Sequence, residues 1–275
     1  MLKNNPYMKS YLNIISESSN IEKYQQIAKE IGGVYIPETN TIDCKGKKVK
    51  FKNSWLDENG SFNFKLINTS NDWFDMFKWC ALTHLPDDFI IPEGVTNCSS
   101  MFENCKSLTH LPDNFIIPNT VIDCFCMFSG CESLTHLPDN FTIPNSVTCC
   151  NAMFYECYNL THLPDNFTLS DNIIDCNSMF YDCIKLKKLP DNFTIPNNIK
   201  DCNSMFYNCS LKYLPNNFII PNDVENCSSM FENCKQLTHL PEQFRIPANG
   251  NYKWIFDGCD KLENKDPETY TMWEI

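Results

Sequence analysis

Cysteine and histidine have the most chemistry to offer in this chain, and both recur at fixed spacing. There are 17 cysteines and 5 histidines. Cys98, Cys124, Cys150, Cys176, Cys202 and Cys227 form one column, and Cys105, Cys131, Cys157, Cys183, Cys209 and Cys234 a second, with steps of 25 or 26 residues. Cys80 and Cys259 fall at about the phase of the second column at its two ends. His84, His110, His136, His162 and His239 make a third column, with Lys188 and Tyr213 in the same place elsewhere. A Cys precedes each of the five histidines by four or five residues, which is the raw material of a Cys–His dyad. A catalytic pair is singular, however, and this one is a by-product of repetition. Zinc sites draw on paired Cys-x-x-Cys knuckles, whereas the two columns are related by Cys-x6-Cys. Cysteines stacked one unit apart would come near disulfide distance. Yet their flanks are Val, Met, Phe and Leu, and free Cys packs as a small buried hydrophobe. The expectation is a set of reduced structural thiols, with no metal and no cofactor, and disulfides as the alternative. The histidine column reads as a solvated or half-exposed stripe, with metal or pH sensing as the sharper alternative. A further row, Asp87, Asp113, Asp139, Asp165 and Asp191, follows proline and reads as turn chemistry, with calcium as its sharper alternative. No phosphate-binding loop, dinucleotide fingerprint, His-Glu-x-x-His or nucleophile elbow occurs, so no catalytic residues are expected.

The element that positions these residues is a repeat. Aligned on Leu-Thr-x-Leu-Pro, the first leucines are Leu82, Leu108, Leu134, Leu160, Leu186, Leu211 and Leu237, giving about seven units of 25–26 residues. A fixed period in this range marks a solenoid. Numbered from that leucine, positions 1 and 4 are leucine, position 8 is always Phe and position 10 is Ile or Leu. In the first six units position 14 is Val or Ile, position 17 is Cys, positions 20–21 are Met-Phe and position 24 is Cys. Proline at position 5, and in most units at position 11, forbids a long helix. Short strands are expected at positions 1–4 and 14–17. One unit cannot bury its own apolar face, so stacked units must share one core.

Composition narrows the function classes. With 275 residues and 43% hydrophobic content the chain can bury a sizeable core. No apolar run approaches the ~18 residues of a membrane span, and the N-terminus lacks the apolar centre of a secretory signal. Residues 1–72 carry ten basic and eight acidic residues, a net of +2, whereas residues 73–275 carry twelve and twenty-six, a net of −14. Such a repeat domain repels phosphate backbones, which argues against nucleic acid as partner.

The stretch Ile143-Pro144-Asn145-Ser146-Val147-Thr148, then Met153-Phe154-Tyr155-Glu156-Cys157, then Leu160-Thr161, resembles the BspA-like (Treponema-type) leucine-rich repeats. Those run Ile-Pro-x-Ser-Val-Thr, Ala-Phe-x-x-Cys and Leu-Thr. The Met-Phe variant is similar to the 26-residue surface-protein repeats of mycoplasmas. The resemblance covers roughly residues 73–262 and recurs seven times. It implies a leucine-rich-repeat solenoid of short β-strands and turns and, more loosely, adhesion or protein binding.

The ends do not repeat. Residues 1–72 are expected to form a small α+β N-terminal cap. A capping box at Ser19–Glu22 would open a helix through Ile21, Tyr24, Ala28 and Ile31, after an earlier short helix around Tyr7–Ile15. A hairpin would pair Val49 and Phe51 with Phe62, Phe64 and Leu66 across Asp57–Gly60. Residues 73–262 would be the solenoid and 263–275 a C-terminal cap, with Tyr270, Met272 and Trp273 as apolar cover. Met8–Glu17 is similar to the leaders of head proteins in tailed phages, which end in Ile-x-Glu. The ordinary alternative is an amphipathic helix. Positions that differ between units carry the functional signal, because packing does not dictate them. Position 22 reads Glu103, Ser129, Tyr155, Tyr181, Tyr207, Glu232, with Tyr158 near the first tyrosine. The expectation is a non-enzymatic, cytoplasmic scaffold that binds a protein partner through an exposed stripe of Tyr155, Tyr158, Tyr181 and Tyr207. A tyrosine row that only stabilises its own rungs is the plainer reading of that stripe. A structural, virion-associated role is the alternative function.

Overall fold

Prolines and left-handed residues cut each unit into short segments, and what remains is a stack of rungs. The computed structural model describes residues 71–85, 87, 89–263 and 265–266. It also describes the backbone of the three N-terminal strands below and four helical positions, Glu22, Gln25, Ala28 and Lys29. In the first six units every one of positions 1, 4, 8, 10, 14, 17, 20, 21 and 24 is buried. These residues join in one continuous core running from Trp73 to Leu262. The chain is a leucine-rich-repeat solenoid.

Two phenylalanine columns form the spine of that core. At position 21, rings from Phe77 to Phe256 stack with centroids 5.4–6.1 Å apart. At position 8, rings from Phe89 to Phe244 stack at 5.8–6.3 Å. The two columns meet edge-on, as Phe128 and Phe141 do at 63°, an arrangement that sets the positive edge of one ring against the negative face of another.

The strand expected at positions 14–17 shrinks to one parallel bridge per rung, all at position 16, from Asp72 through Asn97, Asp123, Cys149, Asp175, Asp201 and Asn226 to Asn251. Beyond it the backbone turns repeatedly. Among the described residues, all fourteen non-glycine residues with positive φ sit at position 19 or 23 or their end-unit equivalents, Ser100, Asn104, Ala152 and Asp182 among them. An alternating hydrogen-bond pattern results. The amides of positions 17, 19, 21 and 23 donate to carbonyls of the next rung, as Cys98, Ser100, Phe102 and Asn104 do to Asp123, Phe125, Met127 and Ser129 at 2.6–2.9 Å. The amides of positions 20, 22 and 24 donate three residues back within the rung, as Met101, Glu103 and Cys105 do. The strand expected at positions 1–4 is reduced to bonds at position 2, such as Thr109 N–H to the Thr83 carbonyl at 3.0 Å. Proline at position 5 stops it from growing.

N-terminal to the solenoid, β1 (Val34–Ile36), β2 (Thr41–Cys44) and β3 (Lys47–Lys50) form an antiparallel sheet in that order. Val49 lies in β3 but pairs with Ile42 of β2, a strand absent from the sequence reading. The hairpin partner assigned to it, the early helix, the phage-like leader and the C-terminal aromatic cover lie outside the described residues. Ala28 is helical and buried, in line with the helix read through it.

Candidate functional site

Why Cys occupies position 24 follows from the rung geometry. Each Sγ lies 3.0–3.3 Å from the position-21 carbonyl of the preceding rung: Cys105 on Phe77, Cys131 on Phe102, Cys157 on Phe128, and so on to Cys259 on Phe231. A thiol proton fills a carbonyl lone pair there, inside the buried core. Burial pushes these thiols up in pKa, and neighbouring cysteines add to the effect. In the position-17 column, burial and nearby aspartates push Cys98 up to about 12. The sixteen described cysteines are free thiols, all buried but half-buried Cys126 and Cys149. A buried thiol held in its protonated form is a poor nucleophile, so the columns are packing and not reactive centres.

The histidine column is exposed throughout. His84 stacks on His110 at 6.3 Å, and His136 on His162 at 6.2 Å. Each ring nitrogen Nδ1 sits 2.8–3.0 Å from Oγ1 of the preceding threonine. In four of these pairs the threonine hydroxyl already gives its proton to a carbonyl of the preceding rung. Nδ1 of His110, His136, His162 and His239 is therefore the donor in these pairs. Asp113, Asp139, His136 and His162 line a shallow open cleft of about 510 Å³. Among the described residues no three His, Cys, Asp or Glu side chains converge as a metal set.

The tyrosines do converge. Tyr155, Tyr181 and Tyr207 stack face to face at 4.7 and 4.4 Å, with planes within 12° and 2°. The Glu156 carboxylate lies close to both Tyr155 and Tyr158, which brings Tyr158 into the cluster. Asn233 Nδ2 donates to Tyr207 Oη at 3.1 Å. All four rings are half-buried, not the fully exposed stripe expected, because each stacked ring covers its neighbour. Burial raises the phenol pKa values of Tyr155, Tyr158 and Tyr181 first, with Glu156 and Asp182 adding negative potential; Tyr158 reaches about 12. Like rings are 4.4–4.7 Å apart here and 6.2–6.3 Å apart in the histidine column, so the tyrosines lie on the tight side of the superhelix.

One row was missed in the sequence. At position 16, Oδ1 of Asp72, Asn97, Asp123, Asp175, Asp201, Asn226 and Asn251 accepts the amide of position 18 at 2.8–3.3 Å. Asn side chains also bridge rungs, as Asn226 Nδ2 does to Asp201 Oδ2 at 3.1 Å. The signal was present: Asp or Asn stands before the first-column cysteine in every unit but one. The role is to start the chain of turns.

Three overlapping stretches, residues 75–193, 123–244 and 172–270, match the family described as Mycoplasma protein of unknown function, DUF285, and the chain belongs to that family. Among solved structures it is similar to a leucine-rich repeat protein of T. pallidum, with 20% identity over 64% of this chain and 78% of that one and a TM-score of 0.44. It is also similar to a leucine-rich repeat protein from Bacteroides ovatus, with 23% identity, 69% and 62% coverage and a TM-score of 0.31. No curated protein is significantly similar to it. No helix among the described residues is long and apolar enough to cross a membrane.

Proposed function

We propose that the solenoid is a non-catalytic scaffold that binds a protein partner across the tight side of its ladder, centred on Tyr155, Tyr181 and Tyr207, in a compartment that keeps thiols reduced. One observation carries this reading. The three-ring stack occupies a position where other units hold Glu103, Ser129 or Glu232 with the same backbone, so the fold does not require tyrosine there. Tyrosine supplies broad contact area, a polar tip and few rotamers to freeze, which is why it recurs in binding hot spots. Asn233 already donates to the Tyr207 hydroxyl, and the carboxylates Glu156 and Asp182 lie beside the stack.

The test is Tyr181→Ala, measured against a partner recovered with the wild-type chain from its native source. Loss of two stacking contacts should cost about 1–2 kcal/mol of stability, leaving the rungs folded. Partner affinity should fall by at least ~2 kcal/mol, about thirtyfold. Unchanged affinity in the folded variant would make the stack a purely structural row.

A further inference from the structure

The tyrosine stack ends abruptly at Tyr155. The next unit towards the N-terminus carries Ser129 at the same position and Gly130 after it, and the unit beyond carries Glu103. Position 22 repeats every 4.4–4.7 Å along the stack, so Glu103 and Tyr155 stand roughly 9 Å apart across a serine that fills little of the interval. That interval is one rung wide, the space a fourth planar group would occupy. Its far wall is fixed: Glu103 Oε2 pairs with Lys78 Nζ at 2.7 Å, and Oε1 accepts from Asn104 Nδ2 at 3.3 Å. Its floor is Ser129, whose amide donates to the carbonyl of Cys126 at 3.0 Å. Glu103, Ser129 and Tyr155 thus follow one another along a single column, with half-buried Cys126 three residues before Ser129. Gly130 has φ +69, and an added Cβ would fall 2.7 Å from Asn104 Oδ1, so the backbone at that edge has no room to swell.

We propose that this gap is a socket for one arginine side chain of a basic segment on the partner, its guanidinium stacked on the Tyr155 face and paired with Glu103. The inference rests on the binding role proposed above. A guanidinium suits the gap on three counts. It is planar, as a group extending a ring stack must be. It stacks on aromatic faces, where a lysine ammonium acts only as a point charge. It is cationic, and Glu103 and Glu156 lie beside the gap on a domain of net charge −14 across residues 73–275. Lys78 partly offsets the Glu103 carboxylate through its pair with it. Charge alone therefore gives weak attraction, and stacking must supply the selectivity.

The experiment titrates full-length protein with acetyl-(Gly-Arg)4-amide and with its lysine counterpart of equal charge, following chemical shifts or heat. The arginine peptide should bind about two- to fivefold more tightly, the scale of one exposed cation–π contact. Ser129→Tyr fills the socket with the residue that three other rungs already carry. It should keep or raise the thermal midpoint and weaken arginine-peptide binding to the level of the lysine peptide. Tyr155→Leu, which keeps bulk but removes the aromatic face, should do the same by an independent route should Ser129→Tyr not fold. Equal binding of the two peptides overturns the socket, as does a folded Ser129→Tyr protein that binds like wild type. If Ser129→Tyr is silent while Tyr181→Ala still weakens the native partner, the socket is lost and the stripe survives. If Tyr181→Ala is silent, the stripe itself is wrong.

Discussion

Phe154→Ala tests the packing argument where it is strongest. The ring is fully buried. It stacks on Phe128 at 5.6 Å and on Phe180 at 5.5 Å, and meets Phe141 edge-on at 6.0 Å. Truncating a buried phenylalanine costs about 3–5 kcal/mol in lost transfer energy and cavity. The upper end applies here. Both stacked neighbours are held by their own rungs, with Phe128 and Phe180 amides bonded to Met153 and Met205 carbonyls at 2.9 Å, so they cannot collapse into the gap. At about 2–4 °C per kcal/mol for a domain of this size, the midpoint should drop by roughly 10–20 °C. A solenoid contacts only its nearest neighbours, so the damage should be local at first. Hydrogen exchange should speed up in the rungs around Met127–Cys131 and Met179–Cys183 before it does so around Phe231. The assay is a thermal melt by circular dichroism, paired with peptide-resolved exchange. A midpoint within a degree or two of wild type would show that position 21 is not the structural column described, and the phase of the core would have to be redrawn.

Three other outcomes follow from the rungs. Among the described thiols, alkylation under native conditions should be slow and confined first to half-buried Cys126 and Cys149, whereas denaturation without reductant should expose every thiol; low labelling in denaturant would mean disulfides. Burial raises these thiols from an ordinary 9.0 to about 12 at Cys98 and Cys227, so above pH 9 the unfolded chain sheds protons that the folded one retains, and urea midpoints should fall as pH climbs from 9 towards 12; flat midpoints across that window would contradict the burial. Ala152 has φ +53 in a buried turn, where a β-branched residue is strained. Ala152→Val should cost about 1–3 kcal/mol, whereas Ala152→Gly should stay within about 1 kcal/mol of wild type, because relief of strain offsets a looser unfolded chain. Equal losses for the two variants in urea unfolding would refute the left-handed assignment.

How much of this was legible follows from which forces have a period. Burial has one, so all nine inward positions could be read from the recurrence of Leu, Phe, Ile, Val, Cys and Met, down to Phe154 and Cys157. Turn geometry has no such signature. Left-handed backbone usually announces itself through glycine, but here Ser100, Cys126, Ala152, Glu156 and Asp182 adopt it, and only Gly130 and Gly258 give a hint at position 23 or its equivalent. That is why the chain of turns at positions 17–24 was not read from the sequence. The tyrosine cluster was legible as a row and not as a stack. Spacing of 26 residues places Tyr155, Tyr181 and Tyr207 on one line, but the coverage of each ring by the next depends on a side-chain orientation that spacing does not specify.

The left-handed residues also explain why the surface is free to carry a function. Each costs about 1–2 kcal/mol in a residue with a Cβ, and each turns an amide towards the next rung, as Ala152 does to Asn177 and Glu156 to Tyr181 at 2.8 Å. A net hydrogen bond is worth about 1 kcal/mol, so a rung roughly breaks even only when its successor is present. Stability is then shared along the stack through backbone and core, and the outward side chains at position 22 contribute little to it. Glu103, Ser129 and Glu232 stand there on the same backbone as the three tyrosines. A position that the fold leaves open, filled in consecutive units by one large amphipathic residue and bounded by a serine gap, is where a binding role is most economically placed.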